Sequence, residues 1–167
     1  MTRSLAALLA LAFLAQPGCG YHFTAAGAGF PQGIHKVFAP VIANRTTEPG
    51  LEAVFTEAVR EQLARGGYLG GEGSEGRLEG ELLSVSAGVA QLAPGTSGPL
   101  TYRVSALLRV RLFRDQTLLA QTDVTGSEDY LPALRPDVLT TEANRQAAIR
   151  RLASALATDA VTRLQTG

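Results

Sequence analysis

Three groups of side chains in this sequence have chemistry that can act on another molecule. Cys19 is the only cysteine. Arg103, Arg109 and Arg111 fall on one parity of a single alternating segment. Gly71-Glu72-Gly73-Ser74-Glu75-Gly76 spells Gly-x-Gly-x-x-Gly. A lone thiol can carry lipid or stay free, but it cannot close a disulfide within the chain. A guanidinium row can grip phosphate or carboxylate through paired hydrogen bonds. A glycine loop of this spacing can cradle a pyrophosphate, provided it follows a strand and opens a helix.

Context removes the last of these. The glycine stretch follows a helical pattern and opens an extended one, and Glu72 and Glu75 would repel pyrophosphate. Ser74 is no nucleophile elbow, because Glu72 stands where that motif needs its first glycine. His22 and His35 are the only histidines, both toward the N-terminus and without Cys or acidic neighbours at ligand spacing. No metal, cofactor or Ser-His-Asp set is expected, and no enzyme. Fifteen basic residues balance 15 acidic ones, which argues against a nucleic-acid partner. Asn44-Arg45-Thr46 is formally a glycosylation sequon, but a turn and helix cap is the better reading.

Cys19 gains meaning from what precedes it. Arg3 supplies a positive start, and Leu5 to Ala15 is an apolar run of signal-peptide length, too short to span a bilayer. Residues 1–18 are therefore expected to be a signal peptide, and residues 19–33 a Gly/Ala-rich tether lipidated at Cys19. Gln16 and Pro17 stand where lipoprotein signals usually carry Leu and a small residue, whereas Gly18 and Cys19 fit. The competing reading is an ordinary cleaved signal ending near a free thiol. No second apolar stretch has transmembrane length, so acyl chains would be the only anchor.

Residues 34–167 are expected to form a single domain. Lys36 to Ala43 suggests a strand apolar on both faces, with Pro40 placing it at a sheet edge or bulge. Asn44 to Gly50 makes a turn, with Thr46 or Thr47 as the predicted N-cap and Glu48-Pro49 in the first helical turn. Leu51, Val54, Phe55, Ala58, Val59 and Leu63 form one helical stripe that ends at Gly66-Gly67. Arg77 to Leu92 is extended, and its apolar parity changes near Leu82-Leu83, predicting a bulge. After a loop at 93–99, Leu100 to Arg114 alternates cleanly; Asp115-Gln116 reverses the chain, and Thr117 to about Gly126 returns. Glu128 to Val138 is expected to be irregular. Thr140 or Thr141 would cap a last helix to about Leu164, buried through Ile149, Leu152, Ala153, Leu156, Ala160 and Leu164. The order β-α-β-β-β-α predicts an α+β two-layer sandwich, with two helices packed on one face of a four-stranded, mainly antiparallel sheet.

On that sheet, Arg103, Arg109 and Arg111 would share one face. They could meet lipid phosphates or an acidic protein wall, or simply pair with Glu79, Glu81 or Asp123 on a solvated face. Tyr130, Leu131, Leu134 and Val138 would either tuck under the final helix or form a partner-facing patch.

Cys19-Gly20-Tyr21-His22-Phe23, the proline-containing strand, the run Asn44-Arg45-Thr46-Thr47-Glu48-Pro49-Gly50-Leu51-Glu52 and the helix bearing Phe55-Thr56 together resemble the LptE (RlpB) family of lipopolysaccharide-assembly lipoproteins. The likeness covers most of the mature chain in element order, and its specific motifs lie in about the first third. It implies an outer-membrane lipoprotein on the periplasmic face, lodged in an LptD-type β-barrel, aiding its assembly and helping deliver lipopolysaccharide, a possible direct ligand, to the outer leaflet. A lipoprotein pilot or adaptor for another outer-membrane channel, such as a secretin, is the alternative. Palmitate labelling tests the anchor: label should enter the mature chain at Cys19, and an unlabelled mature protein beginning at another residue contradicts it.

Overall fold

The computed structural model describes residues 29–92, 95, 99–133 and 137–166. The expected signal segment, Cys19, His22, Leu134 and most of the expected tether lie outside the described residues. Around a short turn at Pro31–Gly33, seven elements follow. They are β1 (Val37–Phe38), β2 (Ala43–Asn44), α1 (Leu51–Arg65), β3 (Gly76–Leu92), β4 (Pro99–Arg114), β5 (Thr117–Tyr130) and α2 (Val138–Thr166). The sheet runs β1-β3-β4-β5, with β2 also on β3. β3, β4 and β5 are antiparallel neighbours, while β1 and β2 run parallel to β3. Two helices on a mainly antiparallel sheet give the α+β architecture expected from the sequence.

β4 organises the core. Val104, Ala106, Leu108, Val110 and Leu112 are buried on one parity, beneath the helices. α2 covers β5 and β4 through Ile149, Leu152, Leu156, Ala160 and Leu164, and α1 packs alongside α2. Small residues set the approach. A Cβ on Gly126 of β5 would stand 3.1 Å from the side chains of both Leu152 and Leu156. In β3, a Cβ on Gly80 would lie 2.7 Å from Ile42. The parity change in β3 is a bulge: Leu82 pairs with Leu108, Ser84 with Leu107, and Leu83 is the extra residue.

The first strand departs from expectation. Lys36 to Ala43 is two short strands separated at Ala39–Ile42, because Pro40 has no N–H for a ladder. α1 supplies the missing partners. The Ile42 N–H donates to Thr56 Oγ1 at 2.9 Å, and Arg60 Nε donates to the Ala39 carbonyl at 2.9 Å. Thr56, outside the predicted apolar stripe, is therefore buried.

The helix starts also differ. Gly50, at φ 89°, is the N-cap of α1, so Glu48 and Pro49 precede the helix. Asn44 closes the turn: its amide donates to the Glu48 carbonyl at 2.7 Å, and its Oδ1 accepts the Thr46 N–H at 2.9 Å. The Glu52 carboxylate accepts the Asn44 amide at 2.9 Å and the Gly50 N–H at 3.0 Å. Together with its own backbone N–H, the largest contribution, these bonds hold Glu52 below the ordinary 4.5. Glu48 in turn pairs with Arg145 of α2, fastening the second helix to this turn. α2 begins at Val138 because Asp137, rather than a threonine, accepts the Leu139 N–H at 3.0 Å.

Thr56→Val should lower stability by about 1–3 kcal/mol, because a buried N–H loses its acceptor. Thr56→Ser should retain most of it, and urea unfolding of the two variants provides the comparison.

Candidate functional site

The helices cover one face of the sheet. Odd-numbered residues of β4 and their neighbours form the other. β4 presents Arg103, Ser105, Leu107, Arg109 and Arg111; β5 opposes them with Asp129, Ser127, Thr125, Asp123 and Gln121. On the other flank, Gly88, Ser86, Ser84, Glu81 and Glu79 of β3 sit opposite the same series.

The arginines do not form an evenly spaced row. Arg109 and Arg111 are same-face neighbours, whereas Arg103 lies six residues from Arg109, about 20 Å along the strand. Each is paired. Arg103 clasps Asp129 through Nε–Oδ1 at 2.6 Å and Nη2–Oδ2 at 3.0 Å. Arg109 does the same to Asp123 at 2.8 and 2.7 Å. Arg111 pairs diagonally with Glu81, whose other oxygen receives Arg45 at 3.2 Å. Glu79 is held by Arg77 at 2.9 Å. Cross-strand bidentate geometry orients these groups, yet such exposed pairs add only about 0–1 kcal/mol each. The outer face is thus close to charge-neutral, with its guanidinium groups already satisfied.

Between the two Arg–Asp clasps lies a shallow depression of about 510 Å³ lined by Ser84, Ser86, Ser105, Leu107, Thr125 and Ser127. This hydroxyl belt went unnoticed in the sequence because it is assembled from three strands, and only the pairing register brings it together. Asp129 was missed as a partner for a different reason. β5 was expected to end near Gly126, but it continues to Tyr130, which stacks on Tyr102 at a centroid distance of 5.4 Å. Val124, Gly126, Glu128 and Tyr130 continue one parity, a signal weakened by glycine and glutamate.

The other candidates separate. Tyr130 is buried under α2, whereas Leu131 and Val138 are exposed. His35 is exposed, and its backbone N–H donates to Glu75 at 2.7 Å. Gly71 to Ser74 forms a tight turn, with the Ser74 N–H donating to the Gly71 carbonyl at 3.0 Å. Among the described residues, no cluster of three His, Cys, Asp or Glu side chains is placed to hold a metal, and no helix is long and apolar enough to cross a membrane.

Comparison with known proteins adds a family and a fold. The family model for LptE, described as lipopolysaccharide-assembly, matches residues 34–164. No curated sequence matches. Among solved structures, the chain is similar to rare lipoprotein B from Shewanella oneidensis. The identity is 14% and the TM-score 0.55, over 75% of this chain and 93% of that one. Protein XCC0632 from Xanthomonas campestris is similar at 13% identity and TM-score 0.53, over 83% and 90% of the two chains. Protein CT253 from Chlamydia trachomatis is similar at 15% and 0.51, over 79% and 96%. At these identities the structural likenesses establish the fold alone.

The clasps carry a pH signature. Hydrogen bonds and charge from Arg109 hold Asp123 below its ordinary 3.8, and Arg103 does the same for Asp129. Glu81 is held below 4.5, first by its hydrogen bond from Arg45. Carboxyls depressed in the folded state add stability above their unfolded values and lose it as pH falls through the folded ones. Stability should therefore decline below about pH 4. In Arg103→Ala, carboxyl NMR should find the Asp129 titration moved up toward 3.8; an unmoved titration contradicts the pairing.

Proposed function

Because this chain belongs to the LptE lipopolysaccharide-assembly family, matched over residues 34–164, we propose that it is a non-enzymatic outer-membrane lipoprotein. In this reading the domain plugs an LptD-type barrel from the periplasmic side, assists its assembly and helps deliver lipopolysaccharide to the outer leaflet. Acyl chains on Cys19 hold the domain at the membrane, at about 0.8 kcal/mol per buried methylene.

The observation that carries this reading is the outer sheet face. It is long, polar and internally neutralised, and no helix among the described residues covers it. A barrel lumen is polar, and a wall of hydroxyls and paired charges can meet it without leaving an unpaired charge desolvated. A surface carrying bare guanidinium groups would be costly to enclose. β4 spans 16 residues, about 50 Å, enough to line a membrane-deep lumen.

Direct lipopolysaccharide contact belongs to the same face. Arg103 and Arg109 already sit in bidentate pairs, so a lipid phosphate would have to replace Asp129 or Asp123 on the guanidinium. Arg111 would have to release Glu81. Such an exchange is chemically even, phosphate for carboxylate, and it favours a transient hand-over more than tight storage.

Depleting the protein should reduce surface lipopolysaccharide and leave the barrel misassembled. Detergent extraction should co-purify one large barrel; recovery of a ring-forming secretin instead would support the channel-pilot alternative. Arg103→Glu combined with Arg109→Glu should weaken lipopolysaccharide binding, and unchanged binding removes the arginines from the lipid role.

A further inference from the structure

β3 is built as an inner strand for only part of its length. β1 pairs with Gly76 and Arg77, β2 with Glu81 and Leu82, and the last bond on that side is the Arg45 N–H to the Leu82 carbonyl at 2.9 Å. From Leu83 to Leu92 no strand among the described residues occupies that edge, while β4 continues to hold β3 extended on the other. Neither helix covers this corner: Val89 is 53% exposed and Leu92 60%. Protected sheet edges usually carry lysine, proline or inward charge. Leu83-Ser84-Val85-Ser86-Ala87-Gly88-Val89-Ala90-Gln91-Leu92 carries none of these.

Gly88 is a second, independent sign. The other glycines of the three long strands are explained by packing inside the domain: Gly76 lies against Ile34, Gly80 against Ile42, and Gly126 against Leu152 and Leu156. A Cβ on Gly88 would meet nothing within 4 Å, and its φ is not positive. No side chain of the domain packs against that position, which stands just before the β3 irregularity at Val89–Gln91. A strand glycine with such free space beside it leaves room for the approach of another backbone.

The segment also fits itself. Reading outward from Ala87 in both directions gives Gly88 against Ser86, Val89 against Val85 and Ala90 against Ser84. In an antiparallel pair, opposed residues share a face, so a two-fold axis must set one residue opposite its own copy if the helix sides of two copies are to match. An axis at Ala87 sets Val85 of each copy against Val89 of the other on the helix side. On the outer side it sets Ser86 of each copy against Gly88 of the other, and no like charges face one another.

We propose that this edge pairs with the same edge of a second copy of the chain, antiparallel and centred on Ala87, making one continuous sheet across a two-fold dimer. The contact is separate from the arginine clasps, and it stands or falls independently of the barrel reading. Burying the edge in this way would also protect it before any larger partner is engaged.

Full-length protein in a mild non-ionic detergent gives the test. Sedimentation should find a reversible dimer. Gly88→Glu fills open space in the monomer and stands opposite Arg103, so its melting temperature should not fall. The variant should nevertheless weaken self-association by about tenfold or more, because each edge gains a charge. Ala87→Cys should form an intermolecular disulfide under mild oxidation, since paired Cα atoms lie about 4.5–5.5 Å apart across the axis. Ala155→Cys, on the outer side of α2 and carrying the same Cys19, should not. A wild-type monomer at all concentrations, equal cross-linking of both cysteine variants, or a disulfide of Ala87→Cys only with a different protein would each overturn the proposal.

Discussion

The strict two-residue parity of β4 is the constraint from which the rest of this molecule follows. Its even-numbered residues from Val104 to Leu112 are buried, and its odd-numbered residues meet solvent as arginine, serine and leucine. A slip of one residue would push three guanidinium groups into the core, so the register is fixed by a penalty far larger than any single contact. β3 follows this frame by inserting the bulge at Leu83 and shifts register again beyond Val89, and β5 follows it by continuing to Asp129 and Tyr130. The helices then take the one face left apolar. The charged face needs no cover of its own, since each arginine finds a carboxylate one strand away.

Much of this was legible in the residues. The alternation of β4, the stripe of α2 and the parity change at Leu82-Leu83 are local patterns, and each reappears in the structure. What escaped was non-local. The break in the first strand depends on Thr56 and Arg60 lending hydrogen bonds from α1, which spacing along the strand cannot reveal. The cap of α1 moved to Gly50 because Asn44, Thr46 and Glu52 satisfy one another, leaving the threonines no orphan donor to take. Asp129 and the hydroxyl belt required the extent of β5 and the register of three strands together. The turn that carried the family resemblance now has a physical reason. It ends β2, starts α1 and, through Glu48 and Arg145, ties down α2.

Features are distributed unevenly along the long axis. The chain enters beside the start of β3, where Gln32 meets Arg114 at the β4–β5 turn. Val89, Leu92, Leu100, Leu131, Val138 and Leu139 are exposed at the opposite pole, while Val41 and Leu118 are exposed away from it. The neutral outer face between these poles is compatible with enclosure, because closing it off from water strands no charge.

The most direct measurement is site-specific photocross-linking in living cells, from a benzophenone side chain at Leu107 in the centre of the outer sheet face. A single prominent adduct with a large outer-membrane barrel is the expected result. An adduct only with another channel protein, or none at all while the protein is folded and membrane-bound, would contradict it.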